Sequence, residues 1–479
     1  MLLFFETCFK YTNYTEMVDN QIQSGWCDVK IAYFSPFPPE QSGIADFSYE
    51  LLTGFTGYSD AIQIDIFYPE KTRIQDLFSL VNIYDLSYFD DASVRECYDH
   101  FVYHVGNNIK YHKWIVETFK KYPGILELHD LSLHYYLAED TWLHGDIDEY
   151  IKIMKYCHGN KGEQTASQFI NSMIRAPWET SSDVYTVNKH LVDIAKAVIV
   201  HSDYAKQMIK GIRHDVPVIN IPLHTSDLVH DYIRYKTECR KKLSIGSSDI
   251  VMGTFGFATT AKRIQQIVEA LKKYLKNPKN TEQNILLYIV GKLEDRQVID
   301  QIQQYGMENN IIIKGYVDLD EMKVFIGACD FCFNLRYPSQ GESSASLHRM
   351  LGMGKPVVIT RIAAFEEYPD EFSVKISHGE SEVDEIFNAI CLLSGDSKIL
   401  GEKGEAAYQY AINNCTLEIN IQRYIRFFLD LTNGRLEDDY IDMHIDRIIN
   451  IGIDKDEDYI RYFAKNIFSL SMSKTLKQV

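Results

Sequence analysis

Residues 28–55 read DVKIAYF, then SPFPPEQSG, then IADFSYELLTGF. The first segment is a short apolar run of the kind that forms buried strands, and the second has the proline, serine and glycine of a loop. The third segment places apolar residues at helical spacing. The stretch therefore predicts a strand, a loop and a helix in that order.

The same unit recurs along the chain. Further strand-like segments in the first half are AIQIDIFYP, FVYHVGNN, GILELHD, AKAVIVHS and VPVINIPLH. From Asp249 the alternation begins again with DIVMGTFGF, NILLYIVG, NIIIKGYV, DFCFNL and KPVVIT. Strands that alternate with helices predict mostly parallel sheets with helices on both faces. The expected fold class is α/β, with two Rossmann-like doubly wound domains that face each other across a cleft.

Four segments follow from this pattern. Residues 1–27 are expected to be a variable N-terminal extension, and residues 433–479 a helical tail that packs back on the first domain. Between them lie one Rossmann-like domain over 28–235, with a helical insertion at about 138–190, and a second Rossmann-like domain over 236–432. Ligands of such folds bind beyond the carboxyl ends of the strands, which here places them in the cleft.

Charge and cysteine content narrow the class of protein. The 479 residues include 49 Lys and Arg against 67 Asp and Glu, a net charge of −18, which argues against a nucleic-acid partner. A phosphate site must therefore be built locally. Nine scattered cysteines fit reduced thiols in the cytoplasm. Cys329 and Cys332 form a CxxC in a strand pattern, where packing is favoured over metal or redox chemistry.

The N-terminal stretch MLLFFETCFKY has too short an apolar run for a signal peptide or a membrane span. At most peripheral membrane contact is therefore expected.

Two loops at the start of the two halves carry candidate ligand contacts. Gly43 precedes a helix and lets backbone approach a ligand, although on this evidence alone a purely structural turn is favoured. In the second half, Lys262 and Arg263 follow the first strand and are expected just inside the next helix. Cations there oppose the helix dipole, so a bound anion explains them better than helix stability does.

A third loop contains most of the candidate site. It runs from Gly341 through Glu342 and Ser343 to a helix start at Ser344, Ala345 and Ser346. The backbone amides at that start are suited to phosphate oxygens, and the Glu342 carboxylate to sugar hydroxyls. A serine N-cap with a first-turn acid is an equal alternative.

His129 ends the strand segment GILELHD and is expected to face the cleft near the reacting sugar. A hydrogen-bonded structural histidine is an equal alternative at this position.

The ordered series of motifs resembles glycosyltransferase family 4, the retaining transferases of the GT-B fold, and within it a bacterial branch. The matching segments run from about residue 30 to 375. They are PPEQSGIADFS, GNN followed by His112, LHDLSLH, VIVHS, FGF followed by Lys262 and Arg263, and GESSASLHRMLGMGKP. The resemblance implies a retaining hexosyl transfer without metal or cofactor, in which a donor phosphate oxygen assists deprotonation of the acceptor hydroxyl.

The resemblance also implies roles for individual residues. Lys262 and Arg263 bind the diphosphate, Glu342 and the amides of 343–346 the donor sugar and phosphates, and Gly43 the pyrophosphate side. His129 lies near the anomeric carbon, and Gly315 and Tyr316 lie where the family seats the base. The second domain then binds the donor, a nucleotide-diphosphate sugar in which mannose is favoured. The first domain binds the acceptor, a carbohydrate or lipid-linked glycan of surface polysaccharide synthesis.

Two positions depart from the family pattern. Arg349 stands where the family has a second glutamate, and Phe257 stands where it has an arginine. Two other functions remain open: a catalytically silent GT-B subunit that supports a partner transferase, and a GT-B nucleotide-sugar epimerase.

Overall fold

The computed structural model describes residues 29–58, 62–79, 81–225, 227–277, 284–293 and 295–435. The expected extension over 1–27 and the expected tail from residue 436 onward lie outside the described residues.

The first half forms a seven-stranded sheet whose strand order is β3-β2-β1-β4-β5-β6-β7. Every strand pair in it is parallel. The strands are β1 (Val29–Phe34), β2 (Ile62–Tyr68), β3 (Asn82–Asp85), β4 (His100–Val105), β5 (Ile125–Leu128), β6 (Ala197–Val200) and β7 (Val218–Asn220).

The second half forms a six-stranded parallel sheet in the order β10-β9-β8-β11-β12-β13. Its strands are β8 (Ile250–Phe255), β9 (Ile285–Val290), β10 (Ile311–Gly315), β11 (Phe331–Asn334), β12 (Val357–Thr360) and β13 (Ser373–Ile376). In both sheets the order reverses beside the first strand of the half, the doubly wound arrangement that places a crevice at the carboxyl ends of the central strands. The predicted fold class is confirmed.

Helices cover both faces of each sheet. Those of the first half are α1 (Gly43–Phe55), α2 (Ala92–Arg95), α3 (Ile109–Lys121), α4 (His134–Asp140), α5 (Ile147–Ile170), α6 (Pro177–Thr180), α7 (Lys189–Val192) and α8 (Asp203–Ile212). Those that follow are α9 (Tyr232–Lys242), α10 (Ile264–Leu275), α11 (Arg296–Tyr305), α12 (Leu319–Ala328), α13 (Ala345–Gly352), α14 (Glu382–Gly395), α15 (Ser397–Asn414) and α16 (Leu417–Thr432).

The strands are apolar throughout because both of their faces are buried. In β1, Ile31 and Tyr33 join the core on one side of the sheet, and Ala32 and Phe34 join the core on the other. This two-residue alternation is the geometry of an extended strand. The second sheet separates two cores in the same way, with Met252 on one side and Val251 on the other.

Helix α16 returns from the second half to the first. Its apolar residues Ile421, Tyr424 and Phe428 belong to the same core as β1 and α1. The fit is tight, since a Cβ on Gly54 of α1 would lie 2.5 Å from Ile421 Cδ1. This helix belongs to the segment 236–432 that the sequence assigns to the second domain. It nevertheless packs on the first half, because the first sheet buries its apolar face.

Helices α4 to α7 lie between β5 and β6, where the sequence predicts a helical insertion. They pack on the first core through Tyr150 and Trp178. The buried Cys329 and Cys332 pack in the second half, as expected. Within the described residues, no helix combines the length and apolar character that a membrane crossing requires.

Candidate active site

Loops at the carboxyl ends of the two sheets meet each other. The backbone N–H of Ser132, after β5, donates to the carbonyl of Gln340 at 2.8 Å, and Asn107 Nδ2, after β4, donates to Gln340 Oε1 at 3.2 Å. Ser182 from the helical insertion donates to the Ser339 carbonyl at 3.0 Å. Ser343 Oγ donates to the carbonyl of His201 at 2.9 Å. The 339–343 loop of the second half is thus held against the segments that follow β4, β5 and β6 of the first sheet.

Gly341 is required by this contact. Its φ is +70°, and a Cβ there would lie 2.6 Å from the Cβ of Leu131 in the opposite half. Both the left-handed backbone and the lack of space exclude a larger side chain.

Glu342 is fixed by donors from its own loop and from the end of β11. Its carboxylate accepts hydrogen bonds from Arg336 Nε at 3.1 Å, Ser339 Oγ at 3.0 Å and the N–H of Gln340 at 2.7 Å. The side chain is therefore positioned before any ligand binds.

Lys262 lies beside this carboxylate and is buried. Its Nζ donates to the carbonyl of Phe255 at the end of β8, and a Cβ on Gly256, where φ is +91°, would lie 2.9 Å from the same Nζ. Burial lowers the pKa of Lys262 well below its ordinary value, the Arg336 charge lowers it further, and the Glu342 carboxylate offsets part of that shift. Lys262 is thus buried within electrostatic range of Arg336 and Glu342, whose side chains are 14% and 16% exposed.

The expected position of the cation pair requires a correction. Lys262 ends a single 3-10 turn, and Arg263 is the N-cap residue of α10 with a left-handed φ of 57°. The two residues therefore precede the helix instead of lying in its first turn. Arg263 also pairs with a protein carboxylate, since its Nε lies 2.9 Å from Oε1 of the buried Glu382. That pair accounts for the Arg263 charge without an anion, and its role in donor binding stays a prediction.

The start of α13 lies at the same end of the second sheet. Ser344 is its N-cap, with Oγ accepting from the Leu347 N–H at 3.4 Å. Asn334 Nδ2 donates to Ser344 Oγ at 3.0 Å, and Ser346 Oγ lies 3.1 Å from the same oxygen. Ala345 packs against the core of the first half. The first amides of this helix therefore lie between the two halves.

Gly43, Gly315 and Tyr316 lie at the ends of other elements. Gly43 begins α1, and a Cβ there would meet nothing within 4 Å. Its φ is not in the left-handed region, so Gly43 has a backbone conformation that other residues can also adopt. Gly315 ends the edge strand β10 with φ +66°, and the ring of Tyr316 is 63% exposed.

His129 lies in a cluster of buried polar groups. Its Nε2 is 3.0 Å from His104 Nδ1, and its Nδ1 is 3.2 Å from His201 Nε2. Both ring nitrogens therefore face other histidines. Ligand atoms of His104, Glu127 and His129 lie within 4.8 Å of one another, a spacing that a divalent metal ion would also fit.

Arg336 and Asp130 were given no role by sequence reasoning. Asp130 Oδ2 accepts from the N–H of Asn107 at 2.8 Å. Burial and the nearby Glu342 carboxylate raise the pKa of Asp130 to about 7. Both residues directly follow apolar strand segments, FCFNL and GILELH, which is the available signal that they lie at the carboxyl end of a strand.

Comparisons with known proteins agree with this architecture. Residues 236–412 match the family model described as glycosyl transferases group 1. An uncharacterized glycosyltransferase of Methanocaldococcus jannaschii is 20% identical over 252 residues, which are 50% of this chain and 62% of that relative. The chain thus spans less than two thirds of the length of this curated relative.

Solved structures show the same two-domain arrangement. The HepE protein of Anabaena, in complex with UDP and glucose, aligns with a TM-score of 0.55 and 15% identity over 84% of this chain and 100% of that chain. Sucrose-phosphate synthase of Thermosynechococcus elongatus aligns with a TM-score of 0.54 and 13% identity, over 85% of this chain and 100% of that chain. The chain has the GT-B fold, and the comparisons support a glycosyltransferase.

Proposed function

We propose that the chain is a retaining, metal-independent hexosyltransferase that uses a nucleotide-diphosphate sugar. Its acceptor is a carbohydrate or lipid-linked glycan of surface polysaccharide or glycan synthesis, and mannose is the favoured sugar. The observation that carries the proposal is the group formed by the buried Lys262 and the partly buried Arg336 and Glu342. The loop of Glu342 bonds the segments that follow β4, β5 and β6 of the first sheet. The UDP of the Anabaena complex supports the class of donor.

The buried cations suit a diphosphate leaving group. When the bond between the anomeric carbon and the phosphate oxygen breaks, negative charge grows on that oxygen, and fixed cations in a dry site stabilise it strongly. Lys262 and Arg336 lie within electrostatic range of each other and of Glu342, whereas Arg263 pairs with Glu382. In this proposal Arg336 has the role of the family's arginine, which is replaced by Phe257 in this chain.

The remaining steps balance without an added base. The acceptor oxygen bonds to the anomeric carbon on the face that the diphosphate leaves, and the hydroxyl proton passes to a donor phosphate oxygen. Glu342 accepts hydrogen bonds from donor sugar hydroxyls, and the first amides of α13 contact the phosphates. The products are the glycoside, with its anomeric configuration retained, and a nucleoside diphosphate.

Donor entry requires the contacting loops to separate. The bonds from Asn107 and Ser132 to Gln340 lie across the location where the sugar is proposed to bind. A donor diphosphate would replace these contacts with contacts of its own to both halves.

A donor screen followed by transfer assays tests the proposal. Purified protein is heated with individual nucleotide sugars, since a ligand of the native state raises the melting temperature. The stabilising donor is then incubated with oligosaccharide or lipid-linked acceptors, and both nucleoside diphosphate and glycoside are measured. Conversion of the donor to an isomer without glycoside would indicate an epimerase. Donor binding without turnover, even alongside partner transferases, would indicate a silent subunit.

The site assignment has its own test. The double variant Glu342→Gln, Lys262→Ala is expected to abolish transfer while its circular dichroism stays that of wild type. Lys398→Ala is the control, because this lysine is largely exposed and forms only a long surface pair with Glu402. Unchanged turnover in the double variant would reject the assignment.

A further inference from the structure

The buried histidines form a chain whose proton positions can be derived from one end. His201 Nδ1 lies 2.8 Å from the carbonyl oxygen of Ile221, which only accepts hydrogen bonds. His201 Nδ1 therefore carries a proton. In the neutral ring the other nitrogen is an acceptor, so His201 Nε2 offers a lone pair to His129 Nδ1 at 3.2 Å.

The same rule fixes the next two rings. Since His201 Nε2 accepts, His129 Nδ1 carries the proton and His129 Nε2 accepts in turn. His104 Nδ1, 3.0 Å from that atom, must then be the donor. This leaves His104 Nε2 with a lone pair, although it is fully buried and, among the residues that the structure describes, has no hydrogen-bond partner.

Glu127 completes the chain. Its Oε2 lies 3.4 Å from His104 Nε2 and is also buried, with no hydrogen bond from any residue in the described part of the chain. Its other oxygen, Oε1, accepts from the hydroxyl of Tyr424 in α16 at 2.6 Å. A proton on Oε2, shared with His104 Nε2, satisfies both orphaned atoms and leaves Oε1 as the acceptor that Tyr424 requires.

We propose that Glu127 is a positioning residue for sugar transfer: as a protonated acid it orders the protons of His104, His129 and His201, and keeps His129 neutral beside the reacting sugar. The proposal rests on the proposed function. As the diphosphate leaves, positive charge grows on the anomeric carbon, and an imidazolium at His129 would oppose it. Because both of its ring nitrogens bond other histidines, His129 does not exchange a proton with the sugar.

The surroundings of Glu127 favour the neutral acid. Burial raises the pKa of Glu127 to about 8, and burial lowers the pKa of His104 and His129 well below the ordinary value. The polar and titratable groups around the chain are Tyr33 from β1, Tyr424 from α16, His112 from α3, and His224 and His348 near His129 and His201. Apolar residues line the remaining space: Leu51, Phe55, Val102 and Phe428.

Ring-nitrogen NMR tests the proton order without any substrate. The full chain is labelled with ¹⁵N in the histidine rings, and two-bond ¹H–¹⁵N spectra distinguish the two neutral tautomers and the cation. Signals are assigned from single His→Gln variants. Between pH 6 and 7.5, His104, His129 and His201 are expected to be neutral with the proton on Nδ1. An imidazolium or an Nε2–H tautomer at His104 or His129 would overturn the proposal, as would one equivalent of bound metal by mass spectrometry.

The variant Glu127→Gln separates a neutral donor from a carboxylate base. A glutamine amide can donate to His104 Nε2 while its oxygen accepts from Tyr424, so the tautomers should persist and kcat at pH 7 should stay within about threefold of wild type. In wild type kcat should fall above about pH 8 as Glu127 ionises, and Glu127→Gln should lack this fall. The exposed Glu117→Gln should keep the wild-type profile.

Three results on Glu127→Gln would overturn the proposal: an unchanged alkaline limb, a 100-fold loss of kcat at pH 7, or altered tautomers. If no donor or acceptor supports transfer, the proposed function fails, and the NMR spectra of wild type and Glu127→Gln still decide the proton order.

Discussion

Replacing Glu127 with glutamine should stabilise the first half by an amount that depends on pH. Burial raises the pKa of Glu127 from 4.5 to about 8, so between these values the folded protein holds a proton that the unfolded chain has released. The free energy of unfolding of the wild type therefore falls as pH rises through this window. At pH 7, about 2.5 pH units above the unfolded pKa, the cost is about 3 kcal/mol at about 1.4 kcal/mol per unit. Glutamine does not ionise and avoids this cost.

Urea unfolding followed by tryptophan fluorescence measures the effect where it arises. The four tryptophans, at positions 26, 114, 142 and 178, all belong to the first half of the chain or the segment before it. The difference in unfolding free energy between Glu127→Gln and wild type should be about 3 kcal/mol larger at pH 7 than at pH 4. Burying the second N–H of the glutamine amide costs the same free energy at both pH values, so this cost cancels in the comparison. If the difference in unfolding free energy were the same at pH 7 and pH 4, the raised pKa of Glu127 would be wrong. The control variant of the exposed Glu117, Glu117→Gln, should differ from wild type by the same amount at both pH values.

Three further substitutions probe the cleft. Arg336→Ala should weaken donor binding at least tenfold in calorimetry, and more than Arg263→Ala does, because Arg263 is already paired with Glu382; a larger effect of Arg263→Ala would reassign the diphosphate contact. Gly341→Ala should cost about 1–3 kcal/mol in urea unfolding and lower kcat/KM, because its Cβ would lie 2.6 Å from that of Leu131; wild-type values would show that the halves do not approach this closely. Asp130→Asn should remove a loss of stability between about pH 4 and 7, since the pKa of Asp130 is raised from 3.8 to about 7; an identical pH dependence of the urea midpoints would reject that shift.

Local sequence patterns predicted the fold well because the cause of each element is local. The apolar run DVKIAYF became β1 over Val29–Phe34, buried on both faces as central parallel strands are. Ser202, which ends the strand-like segment AKAVIVHS, caps the following helix by accepting a bond from the Ala205 N–H at 3.1 Å. The loops after the neighbouring strands β8 and β11 contact each other, since the Tyr337 N–H donates to the Ala261 carbonyl at 2.9 Å.

Long-range pairing explains what the sequence did not reveal. Glu382, the partner of Arg263, is 119 positions away along the chain, and no local pattern identifies it. Tyr424 reaches Glu127 from 297 positions away, only because α16 crosses back to the first sheet. The argument from the helix dipole explained Arg263 by a bound anion, whereas the Glu382 carboxylate already balances its charge. The same limitation hid the proton order of the histidines, which depends on a carbonyl and a carboxyl from different strands.

Position 349 shows how such pairing changes the expected use of a family position. Arg349 Nη2 bonds Glu50 Oε1 in α1 at 2.9 Å, and its Nη1 bonds Asp227 in the segment between the halves. Although burial opposes it, the bond from His224 and the Arg349 charge lower the pKa of Glu50 to about 2. Because its guanidinium joins the partly buried Glu50 and the buried Asp227, Arg349 holds α13 against the first half. The structure therefore has an ion pair between the two halves at the position where the family pattern has a glutamate.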